Sequence, residues 1–122
     1  MLQFKETKKC LIKHFFTMDG SEGLGLPLVK KGDFAADFLV FGPNQKTILH
    51  THEGDHILIV AEGSGFLQYA GEVRPLHAGD CYLVEGLIPH LIEAGLNGLG
   101  LFAVSNKHYS VNSSDRMVPH NA

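Results

Sequence analysis

Fourteen glycines and five prolines cut this 122-residue chain into short segments, and no apolar stripe of 3.6-residue period survives across them. A fold built on long helices is therefore excluded. What lies between the breakers is β-prone: KCLIKHFF (9–16), DFAADFLVF (33–41), KTILHTH (46–52), HILIVAEG (56–63), GFLQYAG (65–71), CYLVEG (81–86), HLIEAG (90–95) and GLGLFAVS (98–105). GPNQ, EGD, GSG, AGD, EGLIP and GLNG supply turn chemistry between them. Short strands at this spacing predict an all-β sandwich or barrel. The segment 106–122 is polar and aperiodic, and three forms stay open for it: a closing helix, a strap across the barrel, or a loose tail.

A hydrophobic fraction of 44% against 19% charged residues is enough apolar material for one core, so a single domain is expected. The net charge is -3 and no run of Lys or Arg exceeds a pair, which argues against a nucleic-acid partner. No apolar stretch reaches membrane length, and MLQFKETKKC lacks the apolar core of a signal peptide, so no membrane partner and a cytoplasmic location are expected. Cys10 and Cys81 are isolated in sequence, and both read as buried small hydrophobes rather than a disulfide. HILIV and LGLFAV are nearly continuous apolar runs, so both of their faces need cover. A homodimer pairing sheets about a two-fold axis, with exchange of strand 9–16, would supply it.

The densest chemistry is HTHEGDH, which packs His50, His52 and His56 into seven positions. Residues two apart on a strand share a face, so His50 and His52 project together. EGD is a tight turn, and His56 opens the returning strand beside the first two. Three imidazoles in contact repel once protonated, whereas a shared cation lets each ring coordinate through a lone pair. Neutral imidazole suits zinc, manganese, iron, nickel or copper. Glu53 and Asp55 read as solvated turn residues and Glu85 as an exposed loop glutamate. His14, His77, His108 and His120 read as ordinary surface or strand residues. Phe66, Tyr69, Tyr82 and Phe102 read as core.

With these residues in view, the chain resembles the cupin superfamily. His50, His52, His56 and Gly63 fall on the positions of that family's first motif, with His56 where most members carry Glu. Gly79-Asp80 opens the second motif and His90 closes it. The fifteen residues between Gly63 and Gly79 match the short intermotif spacing of compact single-domain members. The resemblance implies a cupin-type double-stranded β-helix (jelly-roll) barrel over 34–105. Residues 1–33 would form an N-terminal lead with one strand, and 106–122 a tail or strap. It also implies a metal site of His50, His52, His56 and His90, with one divalent transition metal per subunit: manganese or iron first, zinc or nickel as alternatives.

An ion held only by imidazoles keeps its full double charge and favours anionic oxygen ligands. The expected function is a metal-dependent oxidoreductase, dioxygenase-like, acting on a small anionic or chelating organic substrate. A redox-neutral isomerase or lyase on a sugar or small carboxylate, and a non-catalytic small-molecule binder, are the alternatives. The sequence names no catalytic acid or base.

Overall fold

The computed structural model describes residues 2–3 and 15–120. Among them the chain is all-β and antiparallel, with no helix: β1 (Phe16–Thr17), β2 (Leu24–Lys31), β3 (Phe34–Phe41), β4 (His50–Thr51), β5 (His56–Tyr69), β6 (Glu72–His77), β7 (Cys81–Val84), β8 (His90–Ser105) and β9 (Val118–Pro119). The architecture is the expected cupin-type jelly-roll barrel. Its spine is the pair β5–β8, matched from His56↔Ser105 at one end to Tyr69↔His90 at the other. The far half of β8 also pairs with β3, which pairs with β2, while β6 and β7 each pair with β5.

GSG and GLNG do not end strands as expected; β5 and β8 run straight through both. Register shifts at 60/62 and 63/65 bend the pair there, curling one ladder through both halves of the barrel. Gly63 and Gly98, each at φ +76°, face one another at the bend. A Cβ on Gly63 would stand 2.1 Å from the Gly98 carbonyl oxygen, so no side chain fits the crossing.

Strand 9–16 of the lead lies almost wholly outside the described residues. The described lead instead carries β1 and β2, and β2 was not anticipated. Pro27 in LGLPLVKK argues against a strand, yet the ladder accommodates it at a register shift between Pro27 and Val29. β6, also unanticipated, contains Pro75 and is an edge strand paired only with β5. KTILHTH shrinks to two isolated bridges, Lys46↔Glu93 and Thr47↔Ser21, and the two residues of β4.

Alternate residues of β3 and β5 fill the interior: Leu39 and Phe41 from one, Leu58 and Val60 from the other, packed with Leu101 and Ala103 of β8. A fully buried leucine such as Leu101 contributes roughly 2 kcal/mol. The outer face behaves differently. Ile57 and Ile59 are 42% and 39% exposed, and Leu83, beside Ile57 in the ladder, is 60% exposed. Cys81 is exposed on this face rather than buried, because its strand position points outward beside Ile59; Cys10 lies outside the described residues. Phe66 is half exposed rather than core, since its position on β5 faces away from its buried neighbour Leu67. Phe102 packs against Phe38, ring centroids 4.8 Å apart.

The described C-terminal residues 106–120, called the strap below, contain no helix. Residues 106–120 cross the barrel mouth, bury Val111, Arg116 and Met117, and end in β9 paired with β4.

Candidate metal centre

β4 and β8 are joined at one residue pair, and that pair is His50↔His90. Their ring centroids stand 4.3 Å apart. His52, two residues along from His50, brings its Nε2 to 3.1 Å from the Nε2 of His90. The ligand atoms of His50, His52 and His90 lie within 4.8 Å of one another, and all three residues are buried.

Each ring is oriented by its own backbone. Nδ1 of His50 donates to the Ile48 carbonyl at 2.8 Å, Nδ1 of His52 to Gly54 at 2.7 Å, and Nδ1 of His90 to Ile88 at 2.9 Å. A carbonyl oxygen accepts only from N–H, so Nδ1 carries the proton in all three and Nε2 holds a lone pair. The close approach of His52 and His90 therefore sets two lone pairs against each other at hydrogen-bond distance. Neither ring offers the other a proton, and a cation between them relieves the conflict. Nδ1 bonded to carbonyl and Nε2 free is also how metal-ligating histidines are held.

His56 lines the same cavity and stacks on His52, with centroids 3.9 Å apart and planes within 9°. Its ring lies parallel to that of His52, and it stands outside the group of three. Among the described residues neither of its nitrogens has a protein partner.

Burial holds all four imidazoles neutral. Desolvation lowers His50 to about 4, opposed by its bond to Ile48. His90 falls to about 3 through desolvation and then the charge of a protonated His50. His56 falls to about 2 through desolvation, then His52 and Arg116. His52 is lowered by burial, with the Gly54 carbonyl opposing. Neutral rings are what a metal needs.

The remaining lining is Leu39, Leu58, Val84, Ile92, Arg116 and Met117. Arg116 is the residue that sequence reasoning missed. Its Nη1 donates to Asp37 Oδ2 at 2.8 Å and to the Tyr109 carbonyl at 2.7 Å, and His108 Nε2 donates to the same Asp37 oxygen at 2.9 Å. Asp37 and Arg116 are 2% and 4% exposed. One signal was available: the inward set Ala35, Asp37, Leu39 and Phe41 contains a single carboxylate, which in that position needs a buried partner. His108 belongs to this cluster and is not an ordinary surface residue.

The other singled-out residues lie outside the cavity. Glu53 is exposed, paired with Lys107 at 2.7 Å and accepting from the Tyr109 hydroxyl, which together hold its carboxyl below the usual range. Asp55 accepts from the Gly86 amide, and Glu85 is exposed. Tyr69 and Tyr82 pack against the core without lining the cavity. His77 and His120 are exposed, and His14 is outside the described residues.

A family profile described as a cupin domain matches residues 37–95. Among solved structures, KdgF from Halomonas sp. superposes with a TM-score of 0.75 at 18% identity, over 90% of this chain and 96% of that one. The polyketide cyclase RemF from Streptomyces resistomycificus gives 0.72 at 17% identity, over 94% and 89%. A predicted oxalate decarboxylase from Thermotoga maritima gives 0.68 at 24% identity, over 78% and 91%. At these identities the likeness speaks to the fold. No curated protein matches the chain in sequence.

Proposed function

We propose that this chain, which matches a cupin-domain family model over residues 37–95 and folds as a cupin-type barrel, is a small metal-dependent enzyme. It would act as a dioxygenase-like oxidoreductase on a small anionic or chelating organic substrate. The observation that carries the reading is the facing pair of Nε2 lone pairs on His52 and His90, with His50 beside them. These three residues would hold one divalent ion, manganese or iron first and zinc or nickel as alternatives, with His56 proposed as a fourth ligand. The bound ion would supply Lewis acidity and, as manganese or iron, one-electron chemistry with dioxygen. The backbone carbonyls of Ile48, Gly54 and Ile88 fix the rings, Leu58, Val84 and Ile92 exclude water, and all three proposed ligands are neutral.

No carboxylate lines the cavity, so among the described residues no acid–base side chain stands there except the histidines. That favours redox chemistry over proton shuttling. The redox-neutral isomerase or lyase reading draws on one feature: if His56 is not a ligand, its ring is an unpartnered polar group facing the cavity among the described residues. The test is turnover of a panel of small carboxylates and chelating enols by iron- or manganese-loaded protein, under air and under nitrogen. Oxygen uptake matched to product supports the oxidoreductase; turnover indifferent to oxygen transfers the proposal to the redox-neutral class. Saturable binding without product makes the chain a binding module.

We also read the outer face bearing Ile57, Ile59 and Leu83 as a homodimer surface. Sedimentation at micromolar concentration should give twice the chain mass, reduced to the monomer by Leu83→Lys. A monomeric wild type would remove the proposal.

A further inference from the structure

The cavity over the histidines measures about 20 Å³. That is room for one water or one bare ion. A metal bound to the three Nε2 atoms would fill it, and a substrate even of acetate size has nowhere to go while the walls stand as they do. Some wall has to yield, and the walls differ greatly in how firmly they are held.

β3, β5 and β8 each pair on both edges, and β5 and β8 pair with one another from end to end. The strap contributes Arg116 and Met117 to the lining and packs Val111 and Met117 into the core. Side chains hold its first residues, Asn106 to Asp55, Lys107 and Tyr109 to Glu53, and His108 to Asp37, while its backbone bonds to the barrel are few. β9 pairs with β4 over two residues, His50↔Pro119 and Thr51↔Val118, and Pro119 has no N–H to give. The His120 amide donates to the Leu49 carbonyl at 3.0 Å, and the His108 amide to Asp33 at 3.0 Å. The strongest fastening is the ion pair of Arg116 with Asp37. Segments with few, partly exposed backbone bonds open locally at far lower cost than core strands.

We propose that the C-terminal strap is the gate of the histidine cavity and that the Arg116–Asp37 pair is its latch. In the form seen here the strap helps hold the space over the ligands to about the size of one water. Release of β9 from β4 lifts Arg116 and Met117 away together, because they immediately precede it in the chain. Arg116 then reaches water, and Asp37 keeps the His108 Nε2 donor, so opening does not leave the carboxylate without a partner. The inference rests on the metal-centre reading only for the purpose of the gate, since strap opening is measurable on metal-free protein.

The test uses Thr51 and Val118, ladder partners on β4 and β9. Changing both to Cys in the full chain carrying Cys10→Ser and Cys81→Ser puts a reversible lock across the gate. Diethyl pyrocarbonate, which modifies neutral imidazole, is followed residue by residue by mass spectrometry, with exposed His77 as the internal control. With the pair reduced, His50, His52 and His90 should react slowly but measurably. Oxidation should slow them by about tenfold or more, leaving His77 unchanged. A second variant, Arg116→Gln with β9 left unlocked, should speed the same three. Equal rates in locked and unlocked protein, or no reaction of the three in either state, overturns the gate. Metal affinity of the reduced protein, measured separately by titration, reports on the metal centre whatever the gate does.

Discussion

The barrel mouth holds two buried polar clusters that solve the cost of burying polar groups in opposite ways. In the Asp37–Arg116–His108 cluster every interaction is complementary: one carboxylate oxygen receives two N–H donors, and the remaining Nη1 donation goes to a carbonyl. Such a cluster is complete and needs nothing from outside. In the histidine cluster the Nδ1 atoms are satisfied by local carbonyls, while Nε2 meets Nε2 with no proton between them. That cluster is complete only with a cation. The first fastens the fold, and the second is positioned to bind a metal, as proposed above.

The largest effect should come from breaking the closed cluster. Asp37→Ala strands a buried guanidinium and should cost about 3–5 kcal/mol in urea unfolding. His90→Ala, by contrast, removes one of two opposed lone pairs. It should cost the metal-free protein only roughly 1 kcal/mol while abolishing metal binding. If the two substitutions destabilise the metal-free protein equally, the distinction between fastening and binding is wrong.

Acid should act on the open cluster. Its histidines titrate lower when folded than the usual 6.5, so as pH falls below 6.5 the unfolded chain takes up protons that the folded chain refuses. Their stabilising share is whole above pH 6.5 and drains as pH falls toward 4. His50 alone should account for about 3 kcal/mol by pH 4 in metal-free protein. A stability profile flat between pH 6.5 and 4 would contradict neutral burial of these rings.

Metal should then complete the cluster. At a free concentration a hundredfold above Kd, manganese, iron or zinc should add about 2.7 kcal/mol. That is a Tm rise of roughly 10 °C, reversed by chelator. Indifference of Tm to metal, in protein shown to bind it, would mean the site is already satisfied without one.

How far these clusters were legible in the sequence follows from how local their geometry is. His50 and His52 share a face by strand period, and His90 completes a spaced motif, so all three could be read from short-range pattern. Asp37 and Arg116 lie 79 positions apart and meet only because the aperiodic strap folds back over the mouth. No local pattern announces that. Pro27 and Pro75 hid β2 and β6 because proline's missing N–H argues against a strand, yet one sits at a register shift and the other on an edge strand. Gly63 belonged to the recognised motif, but its work as a hinge against Gly98 depends on a chain crossing that no turn signal encodes.

The smallest expected effect concerns His56, which stands beside the group of three. His56→Glu should keep the metal, since carboxylates suit manganese and iron, and should lower the net charge of the site by one. Attraction for an anionic ligand should then weaken by severalfold. His56→Ala should loosen the metal by roughly tenfold, the scale of an outer partner, if the ring only buttresses His52. A larger loss would mark it as a ligand. Unchanged metal affinity in both variants would remove it from the site.

If His50, His52 and His90 present Nε2 to one ion, anomalous diffraction from metal-soaked crystals should show a single peak at about 2.0–2.3 Å from all three Nε2 atoms, with each Nδ1 still bonded to its carbonyl. A peak bonded through Nδ1, or an empty cavity with metal bound elsewhere on the chain, would contradict that assignment.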